Sequence, residues 1–528
     1  MPDAGERSGE TYPPAPPGRL ARLSALIAAA PSVLAGRLMT SLGLRRAHEG
    51  WRRTVGILLR SECTRFALSA FGLRVPGGGG GAPESIASLR ERTANALLVF
   101  LAAEPDAHFR LEWRVSVTTR QRIPHVDVVV LAFGDEGGLD SVTPNLAPKA
   151  AAAPPLEIRT RVHSTVVAAY NRTRHLPEVM RTQRLLAHVR AELGSNADAL
   201  AYADRVLAAT CLSFDAEERL DAARRFCPPA FWQRRTLGFG YLSWIARLNV
   251  ETASVDLWVS AHHVGLDGVP LQDLLNRLEK AWGAAESVSF PAAGDSAGFH
   301  GPECCHAPGE RDVDHLLTFV DFASVIALRR KLSDRYAHAI GGEATFGAVL
   351  GWLLSQEPEF RGVRIASTVD VAASSGYERD VDVVSLRPAD YMSGDDPWTG
   401  FAAYAREFNR LIAAARSRTS PVRVGMQTAG LIPPWAHATL VRSDPASLDR
   451  AFGTLCVTII RDARVFVAPM TDLGLGDGFF AIGSVNLPTT SGGRVAAVTV
   501  KGPAGRIAGY PAILRRVIDR AAISSRSD

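Results

Sequence analysis

The stretch Ser260-Ala261-His262-His263-Val264-Gly265-Leu266-Asp267-Gly268 decides how the rest of the chain is read. Ahead of it, Val255, Leu257, Val259 and Ala261 alternate with Asp256, Trp258 and Ser260, the period of a β-strand. Gly265 and Gly268 permit a tight turn after the histidines. Pro270 suits the first turn of a helix, and Leu271, Leu274, Leu275, Leu278 and Trp282 form its apolar stripe. The histidines therefore stand at a strand end, on a loop entering a helix, where α/β proteins often keep reactive groups. Adjacent side chains point in different directions, so one histidine reaches a shared cavity while the other holds the loop. Asp267, short and beside a glycine, braces the turn. A metal reading of His262, His263 and Asp267 lacks the His-x3-His spacing that places two ligands on one helix face.

Around this stretch lies a chain of 528 residues, too long for one ordinary domain and enough for about three units or two large ones. Its apolar content of 47% and charged content of 21% exclude wholesale disorder and a collagen-like or disulfide-dense chain. No apolar run is long enough to cross a bilayer. The net charge is +5, carried almost wholly by arginine, and no RNP, zinc-finger or basic-zipper pattern occurs, so no nucleic-acid partner is expected. Six cysteines without framework spacing fit a reducing compartment. The acidic, Pro-rich start does not read as a signal peptide, so a cytoplasmic location is expected.

Residues 1–17 read as a polar tail. Leu20 to Arg46 is apolar with basic flanks, and Leu20, Leu23, Ile27, Leu34, Leu38 and Leu42 recur at roughly helical spacing. Two readings stand for it: a helix or arm packed on the domain, or an interfacial anchor making peripheral membrane contact through 20–46. Gly77 to Gly81 lack the strand before and the Gly-Lys-Ser/Thr after that a phosphate loop needs, and read as a linker. A helix is expected over Ser85 to Glu104, strands over Phe109 to Thr118 and His125 to Phe133, helices through about 160–225, and strand character over Leu237 to Val250. Residues 283–311 read as a crossover, within which His300, Cys304, Cys305 and His306 are either a metal site or a loop with adjacent thiols. Beyond it, helices are expected at Phe322–Ala337, Thr345–Gln356, Trp398–Ser417 and Tyr510–Ala521. Strands are expected at Val363–Val371, Gly453–Ile460, Val465–Pro469, Phe479–Val485 and Val495–Val500. Strands and helices alternate in both parts, which argues an α/β class.

The stretch His262 to Gly268 resembles the HHxxxDG motif of the chloramphenicol-acetyltransferase-like acyltransferase superfamily. That group includes the dihydrolipoyl acyltransferase core, peptide-synthetase condensation domains, plant acyl-CoA-dependent transferases and bacterial wax ester synthases. Phe452 to Thr458 is similar to the Gly-Thr-Phe-Thr-Ile-Ser strand of the dihydrolipoyl core, with Thr458 at the place of the serine. There is also an echo within the chain. Leu266 to Pro270 with its helix is matched by Ile507 to Pro511 with its helix, but Ala504 falls where His263 would stand and Ala508 replaces Asp267. Two departures are plain: the motif lies late in the chain for a two-half member, and no lipoyl or carrier domain is visible.

The resemblance implies an α/β fold of two chloramphenicol-acetyltransferase-like sandwich halves, each a mixed sheet flanked by helices, forming a V-shaped pseudo-dimer. The halves would be 85–282 and 312–528, with 1–84 a tail, amphipathic segment and linker, and 283–311 the crossover. It implies an acyltransferase moving an acyl group from a CoA or carrier-protein thioester to a hydroxyl or amine, with His263 as general base. His262 would be its less direct partner, Asp267 the residue fixing the loop, Gly268 a point of close packing, and Thr458 or a backbone N–H the oxyanion donor. Cys456 would be a buried thiol rather than a competing nucleophile. No permanently bound cofactor is implied; acyl-CoA or acyl-carrier protein is the donor co-substrate, a small molecule the acceptor, and the chain a monomer. Two alternatives remain: a wax ester or acylglycerol synthase-like lipid acyltransferase, and a non-catalytic binding or scaffold member of the same fold.

Overall fold

The structure, a computed structural model, describes residues 18–41, 65–77, 85–113, 118–134, 137–145, 153–176, 178–215, 224–228, 237, 241–263, 265–299, 313–371, 380–394, 396–417, 420, 431–443, 453–467 and 478–526. The tail 1–17, most of the glycine run, Phe452, and His300, Cys304, Cys305 and His306 lie outside these residues.

Two large mixed sheets flanked by helices dominate the described residues, and Phe109–Trp113 and Thr118–Arg122 pair as a separate two-stranded sheet. The first runs in the order Phe466–Val467, Arg65–Arg74, Ser254–His262, Leu242–Asn249, Thr210–Phe214, Val128–Phe133, Leu139–Asn145. The second runs Ser296–Phe299, Val313–Val320, Arg494–Pro503, Gly478–Ile482, Leu455–Ile459, Ile365–Val371, Asp380–Leu386, with Leu487–Pro488 paired to Arg494–Pro503 off this path. Leaving out the outermost strands Phe466–Val467 and Ser296–Phe299, the six strands that remain in each order correspond one to one. In both sheets the successive pairs are antiparallel, antiparallel, parallel, parallel and antiparallel. The strand Ser254–His262 thus occupies the same place as Arg494–Pro503, and each is followed by a helix, Gly268–Trp282 and Tyr510–Arg526. The echo in the sequence is a duplication of architecture.

Cores follow from these placements. The strand Ser254–His262 is central and buried on both faces. Val255, Leu257, Val259 and Ala261 face a cluster with Leu271, Leu274, Leu275, Leu278 and Trp282 of the following helix, as the sequence expects. Each large aliphatic side chain so buried contributes about 1.5–3 kcal/mol. Trp258, on the opposite face, joins Ala67 and Phe71 of the first sheet and Leu317, Phe319, Val495 and Ala497 of the second in a core between the two sheets. The helices Ala323–Ile340, Phe346–Ser355, Phe401–Arg416 and Tyr510–Arg526 cover the second sheet.

Several elements differ from the sequence reading. Arg65–Arg74 is a strand of the first sheet, paired directly with Ser254–His262, so that sheet takes in residues ahead of 85. Thr210–Phe214 is a strand within the stretch expected to be helical, because its residues are needed between two parallel neighbours. Val313–Val320 and Asp380–Leu386 are strands with no counterpart in that reading. The crossover is not all loop: Ser296–Phe299 pairs with Val313–Val320. Phe466–Val467 belongs to the first sheet, not the second, pairing with Ala67 and Leu68. This short strand carries the later part of the chain across to the first half.

Candidate functional site

The motif loop is built from its backbone outward. His262 ends its strand opposite Arg65, and its N–H donates to the Tyr241 carbonyl at 3.3 Å. The chain then turns tightly: the N–H groups of Gly265 and Leu266 both donate to the His262 carbonyl, at 2.7 and 3.1 Å. The Gly265 carbonyl accepts from the Tyr241 hydroxyl at 3.3 Å and from Arg120 Nη1 at 3.1 Å. Arg120 is itself held over the Phe109 ring, 4.3 Å from its centroid, a cation–π contact that fixes the guanidinium. A Cβ on Gly265 would lie 2.2 Å from the Tyr241 ring, so only glycine fits the turn as it stands.

The two histidines part company in this geometry. His262 is fully buried, and burial pushes its pKa well below the usual imidazole range, with the Arg65 charge and His263 adding to the effect. It is a neutral, sealed group. His263 keeps 18% of its side chain exposed and stands edge-on to Phe66, ring centroids 5.5 Å apart. Its Nε2 lies 3.6 Å from Oδ1 of Asp267, whose side chain is 1% exposed. That distance is a charge contact, longer than a hydrogen bond. Asp267 occupies the N-cap position of the helix Gly268–Trp282, yet its side chain makes no capping bond. Neither of its carboxylate oxygens has a hydrogen-bond partner among the described residues. A buried polar group is costly to leave without a partner, and the His263 ring is the side chain recorded beside Asp267 among the described residues.

Thr458 lies on a strand of the second sheet. On the strand Leu455–Ile459, Leu455 and Val457 face the second-sheet core, whereas Cys456 and the following Ile460 join the cluster of the motif helix. Thr458 shares the face of Cys456 and Ile460 by the period-two rule. Ile460 Cδ1 would lie 2.5 Å from a Cβ on Gly268. The neighbour of Gly268 is thus the Ile460 side chain, next to the end of the strand Leu455–Ile459, and not a backbone. Cys456 Sγ is 3.5 Å from the Thr458 hydroxyl, and burial pushes its thiol up to about 12. Cys456 is therefore no nucleophile at neutral pH. Farther out, Arg464 pairs with Glu279 of the motif helix at 3.1 Å, a second tie between the two parts.

His262, His263, Asp267 and Gly268 are brought together, and the strand of Thr458 is brought against them. Sequence reasoning missed Arg65, Phe66, Arg120 and Tyr241, all supplied by strands or strand ends far from the motif in sequence. Tyr241 alone had a local signal, as the aromatic residue opening the strand before the motif. Among the described residues no three His, Cys, Asp or Glu side chains gather as a metal ion would require.

No protein-family model matches the chain, and no curated protein matches it. Solved structures do. One is the trichothecene 15-O-acetyltransferase TRI3 of Fusarium sporotrichioides, 11% identical, with 91% of this chain and 94% of that one covered at a TM-score of 0.43. Another is a starter condensation domain of rhizomide synthetase, 12% identical over 88% and 90% of the two chains, TM-score 0.40. A third is polyketide synthase associated protein 5 from Mycobacterium tuberculosis, 11% identical over 90% and 98%, TM-score 0.37. The first two of these structures are an acetyltransferase and a condensation domain.

Proposed function

We propose that the protein is an acyltransferase that moves an acyl group from a CoA or carrier-protein thioester to a hydroxyl or amine, with His263 as general base. The observation that carries this reading is the unequal pair: His262 sealed and neutral, His263 open on one side and faced by the buried Asp267 carboxylate. It adds to the resemblance of His262 to Gly268 to the HHxxxDG motif.

The chemistry follows from the groups present. The His263 imidazole takes the proton of the acceptor O–H or N–H as the acceptor attacks the thioester carbonyl carbon. The imidazolium so formed is stabilised by Asp267, 3.6 Å away. The carbonyl becomes a tetrahedral oxyanion, for which the Thr458 hydroxyl or a backbone N–H is the donor. The C–S bond then breaks, and the departing thiolate takes the proton from His263. No covalent acyl-enzyme forms, so no nucleophilic side chain is needed, which agrees with the raised thiol of Cys456.

The test is thiol release from a panel of acyl-CoAs offered with mixed alcohols and amines, for the wild type and His263→Ala. Release that falls by about a hundredfold or more in the variant supports the base role. Equal release by both proteins sinks it. If neither releases thiol, and CoA and acyl-carrier protein both fail to bind the wild type, the non-catalytic reading takes its place.

A further inference from the structure

The helix Arg19–Ser41 is turned inside out for a helix in water. Its small residues face inward: Ala25 and Ala29 are buried against Ile432 and Ala436, the latter on the helix Pro434–Ser443, and the Ser32 hydroxyl donates to the Leu431 carbonyl at 3.0 Å. Its large residues face outward. Leu20 is 81% exposed, Ile27 67% and Leu34 73%, with Leu23 also exposed. At 3.6 residues per turn these four fall within about 60° of one another, roughly opposite Ala25 and Ala29. Surface helices normally do the reverse, and a contiguous apolar stripe of this kind marks a surface that is covered in use.

Charge says what covers it. Between Glu10 and Glu49 the sequence holds no acidic residue, while Arg19, Arg22, Arg37, Arg45 and Arg46 all fall there. Arg19 and Arg22 are exposed at the start of the helix, Arg19 about 40° from the stripe. A second copy of the helix laid on the first would bring like charges together. Negatively charged headgroups would neutralise them while the leucines entered the acyl region. Trp435, exposed on the supporting helix, is of the type that settles at a lipid–water boundary. No helix among the described residues is long and apolar enough to cross a membrane, so the geometry is that of a helix lying on the surface. We infer that Arg19–Ser41 docks the protein on an anionic lipid surface. The inference does not depend on acyl transfer.

Flotation of the full chain with phosphatidylcholine vesicles, with and without phosphatidylglycerol, tests it. The wild type is expected to float with the anionic vesicles, and less so at high salt. Leu23→Ser, Ile27→Ser and Leu34→Ser together should lower partitioning by about a hundredfold. Because these side chains are already in water, the triple variant should melt with the wild type and release thiol from soluble acyl-CoA at the same rate. Failure of the wild type to float, equal flotation by the triple variant, or equal binding to neutral vesicles overturns the inference. A dimer that the triple variant abolishes, without vesicle binding, would assign the stripe to a second copy instead and also overturn it.

Discussion

At the scale of single residues, burial separates two chemically identical neighbours. His262 and His263 share a backbone and a sequence context, yet one is enclosed and the other is not. For His262 the consequence is a stability that depends on pH. Its folded pKa is depressed by burial first, then by Arg65 and His263. In the unfolded chain it titrates near the ordinary imidazole value of about 6.5. Below that value the unfolded state takes up a proton that the folded state refuses. The contribution is therefore fully present above about 6.5 and is lost as the pH falls, at up to about 1.4 kcal/mol per pH unit. Replacing the ring by an uncharged amide in His262→Gln removes this dependence. Urea melts of both proteins at neutral and mildly acidic pH read it directly: the gap in stability between them should shift in favour of the variant as the pH drops. A gap that stays constant with pH would mean that His262 is not held neutral by the fold.

At the scale of elements, the loop between strand and helix is set by a contact that no local pattern announces. A Cβ on Gly265 meets the Tyr241 ring at 2.2 Å, and a ring packed against Phe109 and the turn has nowhere easy to go. A Cβ on Gly268 meets only the tip of the Ile460 side chain, which can rotate away. Gly265→Ala should therefore cost about 1–3 kcal/mol and lower the rate of thiol release, whereas Gly268→Ala should be milder in both. Equal costs, from urea melts of the two variants, would mean that Tyr241 yields freely and does not hold the turn. What could be read from sequence follows the same division. The strand Ser254–His262 and the helix Gly268–Trp282 were legible because period two gives way to period 3.6 within one stretch. The strands Arg65–Arg74 and Val313–Val320 were not: Arg65–Arg74 is buried at every residue but the last, with Phe66 and Leu68 among further apolar residues, and in Val313–Val320 the polar Asp314, His315 and Thr318 follow no period of two. Asp380–Leu386 does alternate, with Asp380 and Asp382 among valines, so its signal was present. Yet the buried Asp382 carboxylate, which accepts from the Ser420 hydroxyl, shows why polarity alone misplaces such a strand. Thr458 could be named by resemblance, but the contact of Ile460 with Gly268 joins residues nearly two hundred positions apart, which no window along the chain contains.

At the scale of the whole molecule, one architecture is used twice and the paired histidines stand in one copy only. Arg65 pairs with His262 at the end of one strand, and Val313 pairs with Pro503 at the corresponding place of the other. The next residue is His263 in the first half and Ala504 in the second. The later part of the chain still reaches the first half, because Ile460 meets Gly268 and Phe466–Val467 joins the first sheet. Such sharing should make the two halves unfold together. Phe290 tests this, since it comes from the crossover and ties both sheets. It stacks on Phe226 with centroids 4.4 Å apart, meets Phe71 of the first sheet at 6.1 Å and Phe319 of the second at 6.3 Å. Its N–H donates to the Pro488 carbonyl at 2.7 Å. Phe290→Ala leaves a cavity between the sheets and should cost about 3–5 kcal/mol. Because the core between the sheets takes side chains from both, the loss should fall on one shared transition. Tryptophan fluorescence and far-ultraviolet circular dichroism, followed through the same urea melt, should therefore move to lower denaturant together. If the two signals separate in the variant, the halves hold themselves up independently, and the sheet-to-sheet core is a contact surface between them and not a common core.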